Sequence, residues 1–203
     1  MPRIGATMGE QMTERERMEA GLWYNANYDP EILDLRIRAD ELCHRLNVTL
    51  GPNDDGRDEV MRELIPDLGK DCQILPPLYV DYGAYCHIGE RVFINHNAYL
   101  MDGGGITIGD DCFIGPNLGA YTAAHPLLAE QRNIGLELAS PIVIGPNCWL
   151  GANVTIMPGV TIGEGCVIGA NSLVTKDIPA GSLAMGSPAR VVRTITEADR
   201  IEC

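Results

Sequence analysis

Residues 142–171 read IVIGPN-CWLGAN-VTIMPG-VTIGEG-CVIGAN, which is five consecutive blocks of six residues. The third residue of every block is aliphatic, and the residue two positions before it is small or aliphatic. The period continues to residue 183 and also runs through 86–103 and 106–117. From residue 142 on, the predicted inward-facing residues are Ile144, Leu150, Ile156, Ile162, Ile168, Val174 and Ala180. Such a period predicts a parallel β-helix, in which three short strands form each triangular coil.

Other regular structures do not fit this period. The aliphatic positions do not recur at three and four residues, as an α-helix would require, and no hairpin turn pairs separate the blocks. The seven cysteines are odd in number and form no Cys-x-x-Cys pair, which argues against a zinc knuckle and a disulfide framework. Four of them occupy the small position two residues before an aliphatic one and are predicted to be buried: Cys86, Cys112, Cys148 and Cys166.

Two segments interrupt the period. Gly103, Gly104 and Gly105 stand where two extra residues enter, and the stretch 121–141 contains no inward-facing residues. A β-helix accommodates insertions of this kind as loops, often on a binding face. We therefore predict that 121–141 forms an extruded loop.

The residues before the β-helix carry helix signals. Thr13 and Glu16 form a capping-box pattern, Asp29-Pro30 starts a second helix, and a shorter helix follows the turn-rich linker at 51–56. These helices are predicted to cover the open end of the β-helix. We predict a helical cap region at 1–70, a β-helix catalytic domain at 71–190 that includes the loop 121–141, and a C-terminal tail at 191–203.

Composition and charge narrow the function classes. The net charge of −13 disfavours binding to nucleic acid or to an anionic membrane surface, so any anionic ligand needs a local basic patch. The N-terminal residues lack the apolar stretch of a signal peptide, and no run approaches the length needed to span a bilayer. We expect a cytoplasmic protein with no membrane partner.

Among the four histidines, His125 is the best candidate for chemistry. It lies at the start of the extruded loop in YTAAHP, where the following proline restricts the backbone. Glu137 ends the same loop, so its carboxylate could hold the imidazole tautomer and stabilise the protonated ring. His44 and His87 are expected to be surface or packing residues, and His96 is expected in an outward turn.

Seven segments of the chain resemble the maltose, galactoside and nodulation-type sugar O-acetyltransferases, a family of hexapeptide-repeat acetyltransferases. They are DYGAYCHIG, NHNAYLMD, TAAHP, GLELASPIVIG, CWLGANVTIMPGVTIG, VIGANSLVTKDIP and GSPARVVR, and the resemblance covers about 13–196. The predicted fold class is mainly β: a left-handed parallel β-helix with an N-terminal α-helical cap and an extruded loop. The resemblance implies an acetyl-CoA-dependent transfer of an acetyl group to a sugar hydroxyl.

The resemblance also implies roles for individual residues. His125 would be the general base, Glu137 would orient it, and Asn95 would help to position the donor or stabilise the oxyanion. Asp81, Asp102 and Asn25 would contact the sugar acceptor, although Asn25 stands where the family commonly has an acidic residue and Gly103 stands where some members add a second acid after Asp102. The coenzyme A contacts would be Ala152, Ala170, Thr175, Lys176, Arg190 and Arg193. The last four of these include a basic trio suited to phosphate.

The same family assembles as homotrimers with active sites between subunits, and we expect this arrangement here, with no metal required. Because a thioester is already activated, the acceptor hydroxyl needs only proton removal as it attacks in a ternary complex. Three alternatives stay open: a xenobiotic O-acetyltransferase of the streptogramin or chloramphenicol type, a γ-class carbonic-anhydrase-like metalloenzyme, and a non-catalytic scaffold. The spacing of His87, His96 and His125 does not match the carbonic anhydrase pattern.

Overall fold

The computed structural model describes residues 12–51 and 53–202. The predicted cap region therefore extends over eleven residues, 1–11, that lie outside the described residues, as do Pro52 of the linker and Cys203. The helices are α1 Glu14–Glu19, α2 Pro30–His44, continued by a π-helical turn Arg45–Thr49, α3 Arg57–Leu64, α4 Ala129–Asn133 and a 3-10 turn Glu197–Asp199. The strands are β1 Tyr24–Asn25, β2 Asp67–Leu68, β3 Gln73–Ile74, β4 Leu78–Val80, β5 Cys86–Ile88, β6 Phe93–Ile94, β7 Ala98–Met101, β8 Ile106–Ile108, β9 Phe113–Ile114, β10 Gly119–Tyr121, β11 Ala123–Ala124, β12 Leu136–Ala139, β13 Ile142–Ile144, β14 Trp149–Leu150, β15 Thr155–Ile156, β16 Thr161–Ile162, β17 Val167–Ile168, β18 Leu173–Val174, β19 Ser182–Gly186 and β20 Ala189–Thr194.

Three sheets form the sides of a triangular prism. The first face is β2-β5-β8-β13-β16, the second is β3-β6-β9-β14-β17-β19 with β20 added at its edge, and the third is β4-β7-β10-β15-β18. All pairs within a face are parallel except β19 with β20, which is antiparallel. The chain visits the first, second and third face in turn and then returns to the first. The predicted parallel β-helix is therefore confirmed.

The interior of the prism is filled by the aliphatic residues of the period. Ile144, Leu150, Ile156, Ile162 and Ile168 are fully buried, and so is Val174. The prediction for Ala180 is wrong, because that residue is exposed. Ile178, four residues after Val174, is instead buried and forms a parallel bridge with Ile162. The corner between Val174 and Ile178 is therefore two residues shorter than the period predicts. The period of six resumes after it, so that Ala184 pairs with Ile168.

The cysteine prediction is confirmed for the β-helix. Cys86, Cys112, Cys148 and Cys166 are buried, and each is a free thiol. Three of these thiols donate to backbone carbonyl oxygens of neighbouring coils, at 3.2 Å for Cys112, 3.1 Å for Cys148 and 3.0 Å for Cys166. These contacts let a polar atom occupy a small inward position without an unsatisfied donor.

The corners between the second and third faces carry a column of asparagines. Asn97, Asn117, Asn153 and Asn171 all have positive φ, between 58° and 65°, a backbone conformation that asparagine tolerates better than most residues. Their side-chain amides form a ladder, with successive N–H···O distances of 2.8, 2.7 and 3.0 Å. The ladder links four successive coils at one edge of the prism.

The helices cover the first coil, as predicted. The capping box of Thr13 and Glu16 is present, and Asp29 caps α2, whose first residue is Pro30. Asn47, just beyond α2, donates to the Leu78 carbonyl at 2.7 Å and accepts from the Leu78 amide at 2.9 Å. Since β4 is an edge strand, these bonds satisfy backbone groups that would otherwise be exposed. Within the described residues, no helix is long and apolar enough to cross a bilayer.

The predicted loop lies at the corner between the third and first faces. It leaves the prism after β10, contains α4 and returns at β13. Its strands β11 and β12 pair antiparallel, and β1 from the N-terminal segment pairs with the other edge of β12. Paired strands of the prism begin at Asp67 and end at Thr194, which extends them beyond the predicted limits of 71 and 190 on both sides.

Candidate active site

The three-stranded sheet β1-β12-β11 brings Tyr24, Glu137 and His125 into one row. Tyr24 lies directly opposite Glu137 in the antiparallel register. On the other edge of β12, Ala124 lies opposite Leu138, and His125 is the residue that follows. Directly opposed residues of antiparallel strands have neighbouring side chains. Glu137 is therefore flanked by one functional side chain on each side.

The orientation of the His125 ring is set by a backbone group. Nδ1 lies 3.0 Å from the carbonyl oxygen of Leu136. Because a carbonyl oxygen only accepts hydrogen bonds, Nδ1 carries the proton of the neutral ring and Nε2 has the free lone pair. The sequence indicates that Glu137 could hold this tautomer, whereas in the structure Nδ1 contacts the carbonyl of Leu136. The side chain of His125 is 43% exposed, so Nε2 can reach a ligand.

Glu137 lies beside the nitrogen that would accept a proton. Its Oε2 is 3.7 Å from Nε2 of His125, and its side chain is only 8% exposed. At that distance the carboxylate attracts a protonated imidazole more than a neutral one. Glu137 therefore places a negatively charged group beside Nε2 of His125.

The other carboxylate oxygen of Glu137 is held from the opposite side. The hydroxyl of Tyr24 donates to Oε1, and Nη2 of Arg36 lies 4.0 Å from the same oxygen. Burial, together with the charge of Glu137 and this hydrogen bond, raises the pKa of Tyr24, so the tyrosine stays a donor. Neither residue could be selected from the sequence, because Tyr24 reaches Glu137 only through the register of β1 against β12 and Arg36 reaches it from α2.

Asn95 lies at the corner between the second and third faces. Its Oδ1 accepts the backbone amide of His96 at 2.8 Å. Its side-chain NH₂ has no hydrogen-bond partner among the described residues, so it is available as a donor to a ligand. This is the property required of a group that stabilises a developing oxyanion.

The three predicted acceptor contacts have different surroundings. Asp81 is half-buried on the third face, and its Oδ1 accepts from the Tyr99 hydroxyl at 2.5 Å. Asp102 is fully buried and accepts backbone amides from Tyr82 at 2.8 Å and Tyr85 at 3.1 Å. Burial raises the pKa of Asp102 to about 6, against the opposing effect of those amides. Both oxygens of Asp102 are thus engaged in holding the turn at 82–85.

Asn25, the third predicted acceptor contact, also makes contacts within the chain. Its side-chain NH₂ donates to the carbonyl of Ile134 at 3.3 Å, and its Oδ1 accepts the amide of Tyr28 at 3.0 Å. It therefore links the N-terminal segment to the extruded loop. The structure does not bring Asn25, Asp81 and Asp102 into direct contact with one another.

The predicted coenzyme residues are divided between two corners of the prism. Ala152 and Ala170 are stacked in successive coils at the corner between the second and third faces, where the Asn171 amide donates to the Ala152 carbonyl at 2.8 Å. Thr175 and Lys176 are exposed at the corner between the third and first faces, after β18. Within the described residues, no hydrogen bond or ion pair joins His125 to any of these four residues.

The two predicted phosphate-binding arginines lie on β20. Both are exposed, and Arg190 Nη1 donates to its neighbour's carbonyl, that of Ala189, at 2.8 Å. Arg193 forms a two-pronged ion pair with Asp199, with both N···O distances at 2.7 Å. The hydrogen bonds and charge of Asp199 raise the pKa of Arg193, and the same pair lowers the pKa of Asp199. Arg193 is thus paired with a carboxylate from the C-terminal segment.

A surface cavity of about 540 Å³ opens beside His125. Apolar side chains dominate its lining, among them Trp23 and Leu127, and Leu127 is 96% exposed.

The other histidines of the prism have separate partners: Nδ1 of His87 lies 2.7 Å from Asp67, and Nδ1 of His96 contacts the Pro76 carbonyl. Among residues 12–51 and 53–202, no group of three or more His, Cys, Asp or Glu side chains could hold a metal ion.

Family models match most of the chain in order. Residues 17–69 match the maltose acetyltransferase hexapeptide capping motif, 86–119 match the hexapeptide repeat of succinyl-transferase, and 141–176 match the bacterial transferase hexapeptide of six repeats. A protein of Staphylococcus aureus (strain MRSA252) that carries the name acetyltransferase is 51% identical over 184 residues. These cover 91% of this chain and 92% of the relative.

Solved structures agree with these matches. A maltose O-acetyltransferase from Clostridium difficile 630 is 41% identical, has a TM-score of 0.88, and the match covers 92% of this chain and 99% of that one. A galactoside acetyltransferase in complex with coenzyme A is 36% identical, with a TM-score of 0.88 and coverage of 93% and 94%. The chain is an acetyltransferase. It belongs to the maltose and galactoside sugar O-acetyltransferase family of hexapeptide-repeat proteins.

Proposed function

We propose that the protein transfers the acetyl group of acetyl-CoA to a hydroxyl of a sugar of the maltose, glucose or galactoside type, with His125 as general base. The observation that carries the proposal is the hydrogen bond from Nδ1 of His125 to the Leu136 carbonyl, which leaves Nε2 as a proton acceptor at an exposed position. Family membership supports the acetyl donor and the class of acceptor.

The transfer needs one proton acceptor and no acyl-enzyme. As the sugar hydroxyl attacks the thioester carbonyl carbon, Nε2 of His125 takes the hydroxyl proton and a C–O bond forms. The tetrahedral oxyanion then collapses, the C–S bond breaks, and the coenzyme A thiolate takes the proton from the imidazolium. The products are an acetyl ester and free coenzyme A. Glu137 favours the imidazolium intermediate because its Oε2 lies 3.7 Å from Nε2.

General-base catalysis typically contributes about 10²- to 10⁴-fold, so other terms must supply the rest of the rate. Holding both substrates in one complex replaces a bimolecular encounter, and a donor aimed at the oxyanion lowers the barrier further. Asn95 supplies the donor, since no other residue of 12–51 or 53–202 accepts a hydrogen bond from its side-chain NH₂.

The positions of the predicted site residues favour a site between two chains. His125, Thr175 and Lys176 lie at one edge of the third face, whereas Asn95, Ala152 and Ala170 lie at its other edge. One prism therefore presents two half-sites separated by a whole face. In a homotrimer whose third faces turn toward the axis, the first edge of one chain adjoins the second edge of the next.

The side chains of the third face support this assembly. Tyr79, Tyr99 and Tyr121 form an outward aromatic stripe along it, with ring centroids 6.5 and 6.0 Å apart. A continuous apolar stripe of this kind is typical of a surface covered by a partner.

For the coenzyme, the small side chains of Ala152 and Ala170 leave room for the pantetheine arm. Lys176, Arg190 and Arg193 would bind the phosphates.

An acceptor screen tests the function. Release of free coenzyme A from acetyl-CoA is measured with maltose, glucose, galactosides, chitin fragments, a streptogramin and chloramphenicol as acceptors. We expect turnover with one or more sugars and none with the antibiotics. Turnover confined to the antibiotics would replace the sugar proposal with the xenobiotic one. No acetyl transfer to any hydroxyl would contradict the proposed acceptor chemistry.

A further inference from the structure

Tyr24 makes a fully buried polar contact with the site. Its side chain is fully buried although it belongs to a two-residue strand of the N-terminal segment. Its hydroxyl donates to Oε1 of Glu137, while Oε2 of the same carboxylate faces His125. Tyr24 thus binds the oxygen of the Glu137 carboxylate that points away from His125.

A carboxylate with both oxygens directed to fixed partners cannot rotate freely. If Oε1 lost the Tyr24 hydroxyl, Arg36 would be its nearest remaining partner, at 4.0 Å. Rotation toward Arg36 would turn Oε2 away from His125 and weaken the stabilisation of the imidazolium. A hydrogen bond to a charged group is stronger than one between neutral groups, so its loss is enough to change which of two such rotamers is preferred.

The β-helix leaves space for the Tyr24 side chain at Gly103. A Cβ atom on Gly103 would lie 3.3 Å from the Tyr24 hydroxyl and 3.3 Å from the Tyr82 ring. Gly103 is the position where some family members carry an additional acid. In this chain, glycine at position 103 therefore leaves the space that the Tyr24 hydroxyl occupies.

We infer that Tyr24 is a positioning residue for the transfer reaction, acting through Glu137 on His125, and that the N-terminal segment is thereby part of the active site. The inference rests on the proposed function of His125. The charged and titratable groups facing Glu137 are Tyr24 from β1, Arg36 from α2, His125 after β11, and Tyr82 from the turn at 82–85.

The test is a double-mutant cycle in the intact chain. Tyr24→Phe, Glu137→Gln and the double variant are compared with wild type for kcat, for KM of acetyl-CoA and for the dependence of kcat on pH. Tyr28→Phe is the matched control, because the exposed Tyr28 hydroxyl contacts the same loop, at the Asn133 carbonyl (3.5 Å), and not Glu137. His125→Ala is included as the test of the proposed function itself.

We expect Tyr24→Phe and Glu137→Gln each to lower kcat about 10-fold, with little change in KM. The acidic limb of the pH profile should move to lower pH in both, because the carboxylate that favours the imidazolium is displaced or neutralised. In the Glu137→Gln background, Tyr24→Phe should cost less than about 2-fold, because its effect passes through Glu137. Tyr28→Phe should behave like wild type.

The position of the acidic limb does not depend on how much enzyme is folded, so partial misfolding of Tyr24→Phe cannot imitate the expected shift. A wild-type kcat and pH profile for Tyr24→Phe would overturn the inference, as would effects that multiply fully in the double variant. If His125→Ala also keeps full turnover, the proposed function fails. If His125→Ala is inactive while Tyr24→Phe is normal, only the role of Tyr24 fails.

Discussion

The carbonyl oxygen of Leu136 lies 3.0 Å from Nδ1 of His125, and the carboxylate of the next residue, Glu137, lies 3.7 Å from Nε2. Two consecutive residues of one strand therefore act on the two nitrogens of one ring. The backbone group fixes which nitrogen is protonated in the neutral ring, and the side chain places a negative charge near the other. This division is consistent with the general-base role that we propose for His125, and it needs no hydrogen bond between Nε2 and the carboxylate.

Removal of the imidazole should abolish most of the transfer. His125→Ala is expected to lower kcat at least about 100-fold, as typical for loss of a general base, with binding of acetyl-CoA retained. His44→Ala, an exposed position on α2, is the matched control. Steady-state coenzyme A release and calorimetric titration with coenzyme A measure the two quantities. A turnover near wild type in His125→Ala would remove this residue from the mechanism.

The pair Arg193–Asp199 makes a specific prediction for the donor. If Arg193 binds a coenzyme phosphate, Asp199 competes for it, and Asp199→Asn should lower the KM for acetyl-CoA about 3-fold. Arg190→Ala and Lys176→Ala should raise the same KM. All three effects should be smaller for the dephospho-CoA thioester. Equal effects on both donors, or a higher KM in Asp199→Asn, would contradict these phosphate contacts.

The asparagine ladder should contribute measurably to stability. Asn117→Ala removes two ladder hydrogen bonds and places alanine at φ 62°, whereas Asn117→Gly removes the same bonds without the backbone cost. We expect losses in the free energy of unfolding of about 1–3 kcal/mol for alanine, with glycine about 1 kcal/mol less affected. Urea unfolding followed by circular dichroism measures both. Equal losses would show that the left-handed backbone is not a source of strain.

Much of the fold follows from the period of six, and its failures are local. The period identifies the buried residues correctly up to Val174 but misplaces the next one, because β18 and Ile178 are joined by a shortened corner. There, Asp177 accepts the Thr161 amide at 2.8 Å and bonds directly to the preceding coil. A side-chain contact of that kind leaves no trace in the spacing of aliphatic residues.

Only some residues of the candidate site could be predicted from the sequence. His125 and Glu137 could be selected because they lie at the two ends of one interrupted segment. The Leu136 carbonyl could not, because a backbone acceptor has no residue signature. Tyr24 lies 113 positions before Glu137, and only the register of β1 against β12 joins them.

Asp102 should make stability depend on pH. Its folded-state pKa is raised from 3.8 to about 6 by burial, so the folded carboxyl retains a proton that the unfolded chain has lost. Its contribution is therefore fully present below about pH 3.8 and is lost as the pH rises through about 6, by up to about 3 kcal/mol.

The comparison is between wild type and Asp102→Asn, which has no titrating group at this position. The difference in unfolding free energy, wild type minus variant, should be larger near pH 5 than near pH 7.5. A difference that is constant, or that grows with pH, would show that the buried carboxyl keeps its ordinary titration.

Subunit complementation tests most directly whether two chains build each acetyl-transfer site, as we propose. His125→Ala destroys the half-site at one edge of the third face, and Ala170→Trp fills the groove at the other edge, where position 170 is exposed. Each variant alone carries its defect in every site and should be nearly inactive. The two chains are co-expressed, and mixed trimers are verified by native mass spectrometry before coenzyme A release is measured. We predict that mixed trimers regain part of the wild-type activity, because at least one cleft pairs an intact His125 with an intact groove. Verified mixed trimers that stay as inactive as their parents would contradict a site shared between chains.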